Sequence, residues 1–188
     1  MQKPKHFIFI LILLIVATLA VGCTQGNTPA SSQESEQEPE QNVGHYFERV
    51  YENTAYNLAF SYPKQWAISS ESESDGVLTL TLKEGNTLSL VISVLPGEFP
   101  EAELVKNGEK LLTGSLYNVR GPLVKDNKVL SGRPVTFLAA EAGERDALQA
   151  RSALFTEKDH SYFFTLLAQA EQFPVANETF ELIVSGVK

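Results

Sequence analysis

Cysteine occurs once in these 188 residues, tryptophan once and histidine three times. A single cysteine excludes an internal disulfide. The fold must therefore be held by its own core, which a folded part of about 140 residues can supply. Basic residues are also scarce, 15 against 23 acidic, for a net charge of −8. Nucleic acid is excluded as a partner, because phosphate binding needs clustered Lys and Arg. HExxH, CxxC, GxSxG, P-loop and GxGxxG patterns are all missing, and with them the usual signatures of zinc, redox, hydrolase and nucleotide chemistry. No internal repeat is present.

What the chain does have is an unusual seam. Lys3 and Lys5 precede Phe7 to Val21, an uncharged run of fifteen apolar or small residues that stops at Gly22-Cys23. A basic start, an apolar stretch and a small residue before a cut site make a secretory signal. As a helix the run rises about 22 Å, short of the roughly 30 Å hydrocarbon core. Leu19-Ala20-Val21-Gly22-Cys23 resembles the bacterial lipoprotein box, with Ala20 where that box more often carries Leu. The resemblance implies cleavage between Gly22 and Cys23 and transfer of a diacylglycerol to the Cys23 sulfur, a thiolate being the best nucleophile for the purpose. Acyl chains such as palmitate at about 0.8 kcal/mol per buried methylene then hold the chain at a membrane. Cleavage would remove two lysines, leaving a more acidic body that anionic lipid repels, so attachment rests on the anchor.

Residues 24–44 follow, rich in Ser, Gln and Asn, with Glu34, Glu36, Glu38 and Glu40 but no aromatic or basic residue. Such a segment cannot bury enough apolar surface to offset its ordering entropy and is expected to be disordered. A flexible chain of this length averages roughly 25 Å end to end and about 70 Å when straight. The expected organisation is a signal peptide over 1–22, a lipidated Cys23 with an acidic spacer over 23–44, and a globular domain over 45–188.

In the domain, "HYFERVYEN" is expected to form a short helix with Tyr46, Val50 and Tyr51 on one side. Leu58, Phe60 and Tyr62 alternate with polar or small residues, which is strand spacing, and Pro63 ends the pairing. "SSESESDG" reads as a polar loop. Leu78, Leu80 and Leu82, the turn "KEGN", and Leu88, Leu90, Ile92 and Val94 form a hairpin. A helix is expected after Pro100 with Leu104, Val105, Leu111 and Leu112 on one face, Gly108 inside it costing about 1 kcal/mol. "YNVRGPLV" and "NKVL" read as two short strands; Val135–Ala140 and Leu148–Phe155 as a pair. "SYFFTLLAQA" is apolar on both faces and belongs in the sheet centre. Ala176, Phe180, Ile183, Val184 and Val187 mark a closing helix. The fold class is α+β, a central antiparallel sheet of about six strands flanked by helices.

Several of these segments together resemble the PsbP-like domain family: "YNLAFSYPKQW", "LSLVISVLPGEFP", "LSGRPVTFLAA" and the run from Ser161 to Lys188, spanning about Tyr51 to Lys188. The resemblance implies an α/β/α sandwich. The family includes the extrinsic photosystem II protein of plants and cyanobacteria and bacterial envelope lipoproteins of unassigned role, so the shared fold carries no task with it. Family members that bind divalent metal use scattered His, Asp and Glu; neither His45 nor His160 aligns with such a site, and no metal or other cofactor is expected.

Four further strings invite a chemical reading. Asp159-His160-Ser161 holds the three residue types of a catalytic triad, but neighbours in an extended chain point to opposite faces, and turns favour these residues. Asn177-Glu178-Thr179 matches a glycosylation sequon inside the closing helix. "ERDALQAR" reads as an exposed hairpin rim able to dock a protein. Tyr62 and Trp66 could line a cleft or pack beneath the first strand. The expected function is a non-catalytic, lipid-anchored accessory or binding protein outside the cytoplasm, acting on a membrane or envelope protein complex. The alternatives are a receptor for a small molecule or divalent cation, and an unrecognised envelope enzyme. A photosynthetic role follows only in a photosynthetic host.

Overall fold

The computed structural model describes residues 47–115, 119–142 and 148–188. The expected signal peptide, Gly22, Cys23 and the spacer lie outside them. Within them nine strands and two helices follow in the order β1 (Phe47–Asn53), β2 (Leu58–Pro63), β3 (Ala67–Ser74), β4 (Val77–Glu84), β5 (Leu88–Pro96), α1 (Glu101–Ser115), β6 (Val119–Leu130), β7 (Arg133–Ala142), β8 (Leu148–Glu157), β9 (His160–Gln169) and α2 (Phe173–Ser185). Strands β3 to β9 form one antiparallel sheet in the order β3-β4-β5-β9-β8-β7-β6, and β1 pairs with β2 in a separate two-stranded sheet. The main sheet thus has seven strands rather than six. Helices are only part of the flanking layers: α1 packs on one face, while α2 shares the other with the β1–β2 hairpin.

The last strand, β9, sits fourth of seven, as its two apolar faces require. Tyr162, Phe164 and Leu166 enter the core under α2 and the hairpin, and Phe163 enters the core under α1. Phe155 stacks on Tyr162 with centroids 4.9 Å apart, and Phe60 of β2 meets Phe164 edge-on at 6.1 Å. In α2, Ala176, Phe180, Ile183 and Val184 are all buried, as their spacing predicts.

Three of the expected elements differ, each for a local reason. His45 and Tyr46 lie outside the described residues, and the remainder, "FERVYEN", supplies a strand: β1 pairs with β2, Tyr51 faces Phe60, and Tyr51 is buried while Val50 is 69% exposed. That is period two, not the shared side a helix would need. The polar "loop" is mostly β3, whose eight residues are all exposed; it exists through backbone pairing with β4 and buries no stripe of its own. Its glutamates and serines suit a sheet edge, where charge discourages pairing with other chains. The two short strands before the "SGRP" turn are one, β6, whose register slips between Arg120 and Val124, where Pro122 has no N–H to offer the ladder. In α1, Leu104 and Leu112 are buried but Leu111 is exposed.

Ion pairs clamp α2 to β6 and β8. Glu181 meets Arg151 at 2.6 Å and Lys128 at 2.9 Å. The Arg151 guanidinium also covers the Phe137 ring at 4.2 Å. Arg151 is therefore tucked beneath α2, with a side chain only 13% exposed, and is not part of an exposed rim; residues 143–147 of that string lie outside the described residues. Asn177 accepts a hydrogen bond from Arg151 at 2.8 Å, and Thr179 donates to the Val175 carbonyl, so a strand arginine and a helix carbonyl engage Asn177 and Thr179 of the sequon.

Burial alone would raise the Glu181 pKa, but the hydrogen bond from Lys128 and the charge of Arg151 more than offset it, and the carboxyl lies below its usual 4.5. A lowered carboxyl contributes stability that is complete above the usual carboxylate range and is lost as pH falls through the lowered value. Glu181→Gln is expected to cost about 1–2 kcal/mol near neutral pH and progressively less as pH falls through the lowered value of the wild-type carboxyl, which is then protonated too. Urea unfolding over a pH series from neutral into acid checks this; a loss that does not shrink toward acid contradicts it.

Gly108 lets α1 lie close to the sheet. A methyl group there would stand 2.5 and 2.8 Å from the two methyl carbons of Leu154 and 3.2 Å from one of Leu138. Gly108→Ala gains about 1 kcal/mol of helix propensity but overpacks a full core by about 1–3 kcal/mol. It should lower the thermal midpoint in the wild-type background and raise it in a Leu154→Val background. Thermal denaturation of the four chains reads the sign reversal.

Candidate functional site

The two faces of the main sheet differ in polarity. Every buried polar side chain among the described residues, Ser93, Thr136, Ser152, Ser161 and Thr165, belongs by strand register to the α1 face. Ser93 pairs with Phe163 of the α1-side core, Thr165 with Ser152, and Thr136 with Leu154. Ser152 and Thr165 satisfy each other at 2.8 Å.

On this face, between the start of α1 and strands β6 to β8, lies a hollow of about 370 Å³. Cross-strand pairing builds its floor. Asn127 of β6 faces Thr136 of β7, and Thr136 faces Leu154 of β8. One step further, Val129 faces Pro134. Leu104, Glu101 and Phe99 border the opposite side. Val129, 71% exposed, stands at the mouth. The ion pair at this rim is Lys125 with Glu101, at 2.8 Å; the lysine holds the Glu101 carboxyl below its usual range. Lys128 also borders the hollow, but its amine is engaged by Glu181 of α2.

The wall at Phe99 is held by Asp159 and Ser161. Lys158 and Asp159 both adopt positive φ, 51° and 64°, in the tight turn between β8 and β9. Gly97 N–H donates to the Asp159 carbonyl at 2.7 Å. The Ser161 hydroxyl donates to the Gly97 carbonyl at 2.8 Å and accepts from the Phe99 N–H at 3.1 Å. Pro100 then accepts from Glu103 and Leu104, opening α1. The His160 ring lies instead beside Tyr56 and Tyr162, with Nδ1 3.1 Å from the Lys158 carbonyl. The three triad residue types do not converge: Ser161 is fully buried and committed to two backbone groups, and His160 belongs to the other face.

Tyr62 and Trp66 are 5% and 2% exposed, in the core that α2 and the hairpin cover. The Trp66 indole donates to Glu84 at 3.0 Å. Neither residue borders the hollow, and burial of their large rings accounts for both positions. A larger trough of about 620 Å³ runs beside Lys106, Glu109, Lys110, Thr113 and Leu123, but its α1 residues are all exposed and enclose little. Among the described residues no group of three or more His, Cys, Asp or Glu could hold a metal ion. No helix among them is long and apolar enough to cross a membrane.

No family model and no curated protein matches the chain. Solved structures do. Cyanobacterial PsbP (CyanoP) from Synechocystis sp. PCC 6803 superposes with a TM-score of 0.59 at 15% identity, covering 78% of this chain and 95% of that one. The fold is PsbP-like. A protein from Bacteroides thetaiotaomicron matches with a TM-score of 0.48 at 10% identity, covering 77% of this chain and 48% of that one. LpqN of Mycobacterium tuberculosis, described as involved in cell envelope biogenesis, gives 0.45 at 13% identity, covering 70% and 82%. These last two scores are too low to bear on the PsbP-like fold.

Ser161→Ala removes both hydrogen bonds of the clamp and is expected to cost about 1–3 kcal/mol. Amide exchange at Phe99 should accelerate along with it. Unchanged protection of Phe99 would show that the wall is held by other contacts.

Proposed function

We propose that this protein is a lipid-anchored, extracytoplasmic and non-catalytic accessory or binding factor, acting on a membrane or envelope protein complex within reach of its spacer. The observation that carries the proposal is the seam at Cys23: an uncharged run ends at the lone thiol, and an acidic spacer separates it from a domain of PsbP-like fold. The spacer sets the working distance and the acyl chains set the membrane, leaving the domain to supply recognition. A second reading, a receptor for a small molecule, draws support from the hollow beside α1, whose volume of about 370 Å³ lies within the range of roughly 300–1,000 Å³ common to ligand sites.

Cells labelled with radioactive palmitate should incorporate label into the wild-type chain and none into Cys23→Ser, and the variant should leave the membrane fraction. Crosslinking in membranes should recover the wild-type chain joined to a membrane or envelope protein. Equal label in the two chains would overturn the anchor, and no crosslinked partner would overturn the accessory role.

A further inference from the structure

The hollow beside α1 is better specified than its volume alone suggests, and the receptor reading above can be deepened on its chemistry. Its polar groups are available. Among the described residues no fully buried side-chain nitrogen or oxygen lacks a partner. Among the described residues the Thr136 hydroxyl makes no hydrogen bond, yet Thr136 is only 8% exposed. That oxygen is therefore reached by solvent, and the hollow that Thr136 borders is the route. Asn127 stands directly across from it on β6 and likewise offers its amide; Thr156 borders the same space. Around them the surface is apolar, from Phe99, Leu104, Val129 and Leu154.

Charge is present only in engaged form. Glu101 and Lys125 neutralise each other at the rim, and the Lys128 amine is held by Glu181. A charged ligand would lose hydration here without gaining a free counter-ion, which is unfavourable. An anion would also approach a chain of net charge −8. A neutral body with one polar handle meets no such obstacle, because its apolar part covers Leu104 and Leu154 while the handle takes the open valence of Thr136.

We propose that this hollow binds a neutral, mostly apolar small molecule bearing one hydroxyl or carbonyl group, with Thr136 as the hydrogen-bonding anchor, Asn127 as its neighbour and Phe99 as the end wall. The Ser161 clamp is a positioning element, since it fixes Phe99 without touching the ligand.

The test uses the full anchored chain in membranes and three photoreactive probes of one shape: 4-(trifluoromethyldiazirinyl)benzyl alcohol, 4-(trifluoromethyldiazirinyl)benzoate and 4-(trifluoromethyldiazirinyl)benzylammonium. After irradiation, the attachment site is mapped by peptide mass spectrometry. The alcohol should label saturably at peptides carrying Leu104, Val129 or Leu154, and the two ions should label them about tenfold less. Val129→Trp, a change at an exposed position, should block the mouth and abolish the labelling. Thr136→Val keeps the shape, removes the hydroxyl and should weaken labelling about fivefold, as for one lost hydrogen bond. An unchanged thermal midpoint in each variant shows that folding is not the cause. Labelling that is scattered, equal among the probes, or indifferent to Val129→Trp overturns the proposal. Such a failure leaves palmitate incorporation at Cys23 and crosslinked partners untouched, so the anchored accessory role stands or falls separately.

Discussion

Strand β9 is buried on both faces, and the other layers are arranged by that constraint. Its even-numbered aromatics, Tyr162 and Phe164, need cover on one side, and Phe163 needs it on the other. A strand of this kind cannot be an edge, so β5 and β8 must flank it. It cannot face water either, so each side requires a packed layer. The chain meets the first demand with α2 and the β1–β2 hairpin, and the second with α1. Tyr162 ties the first layer down chemically as well. Its hydroxyl donates to the Tyr56 and Asn57 carbonyls at the turn leading into β2, and burial pushes its pKa up to about 12.

The two covers differ in kind. Under α2 and the hairpin the sheet presents leucines and aromatic rings, with charge confined to the margins. There Arg133 reaches the Val184 and Val187 carbonyls at 3.4 and 3.0 Å, a cation placed where the end of α2 attracts it. Under α1 the sheet carries hydroxyls among its apolar residues. Ser152 and Thr165 pair with each other, and Ser161 clamps the backbone. Thr136, at the helix margin, is left with an open valence. A polar group in that position is a handle, whereas the same group in the opposite core would be a defect.

Legibility in the sequence follows the same division. Segments whose burial pattern is strong were readable: the double-sided run of β9, the alternation of β4 and β5, and the spacing of α2. Segments that bury little were not. Strand β3 has no exposed-versus-buried rhythm, because pairing with β4 alone makes it a strand. "FERVYEN" fits a helix or a strand until the position of Phe60 decides that Tyr51 goes inward and Val50 outward. The hollow was invisible for a deeper reason. Asn127, Thr136 and Leu154 are ordinary residues scattered over three strands, and only their register makes them neighbours. Conversely, Asp159, His160 and Ser161 drew attention as a string, although Asp159 and Ser161 serve the backbone that carries Phe99 and His160 faces the other way.

Two contacts with the sheet position α1, one at its middle and one just before its start. At Gly108 the helix backbone descends until a methyl group would collide with Leu154. Just before its start, the clamp from Ser161 holds Gly97 and Phe99 against the beginning of β9. Between these supports Leu104 reaches the core and also borders the hollow. The hollow lies beside both contacts, since Leu154 and Phe99 each border it. Its dimensions are therefore tied to the core packing and to the turn between β8 and β9, and a ligand filling it would feel, and report, a change in either.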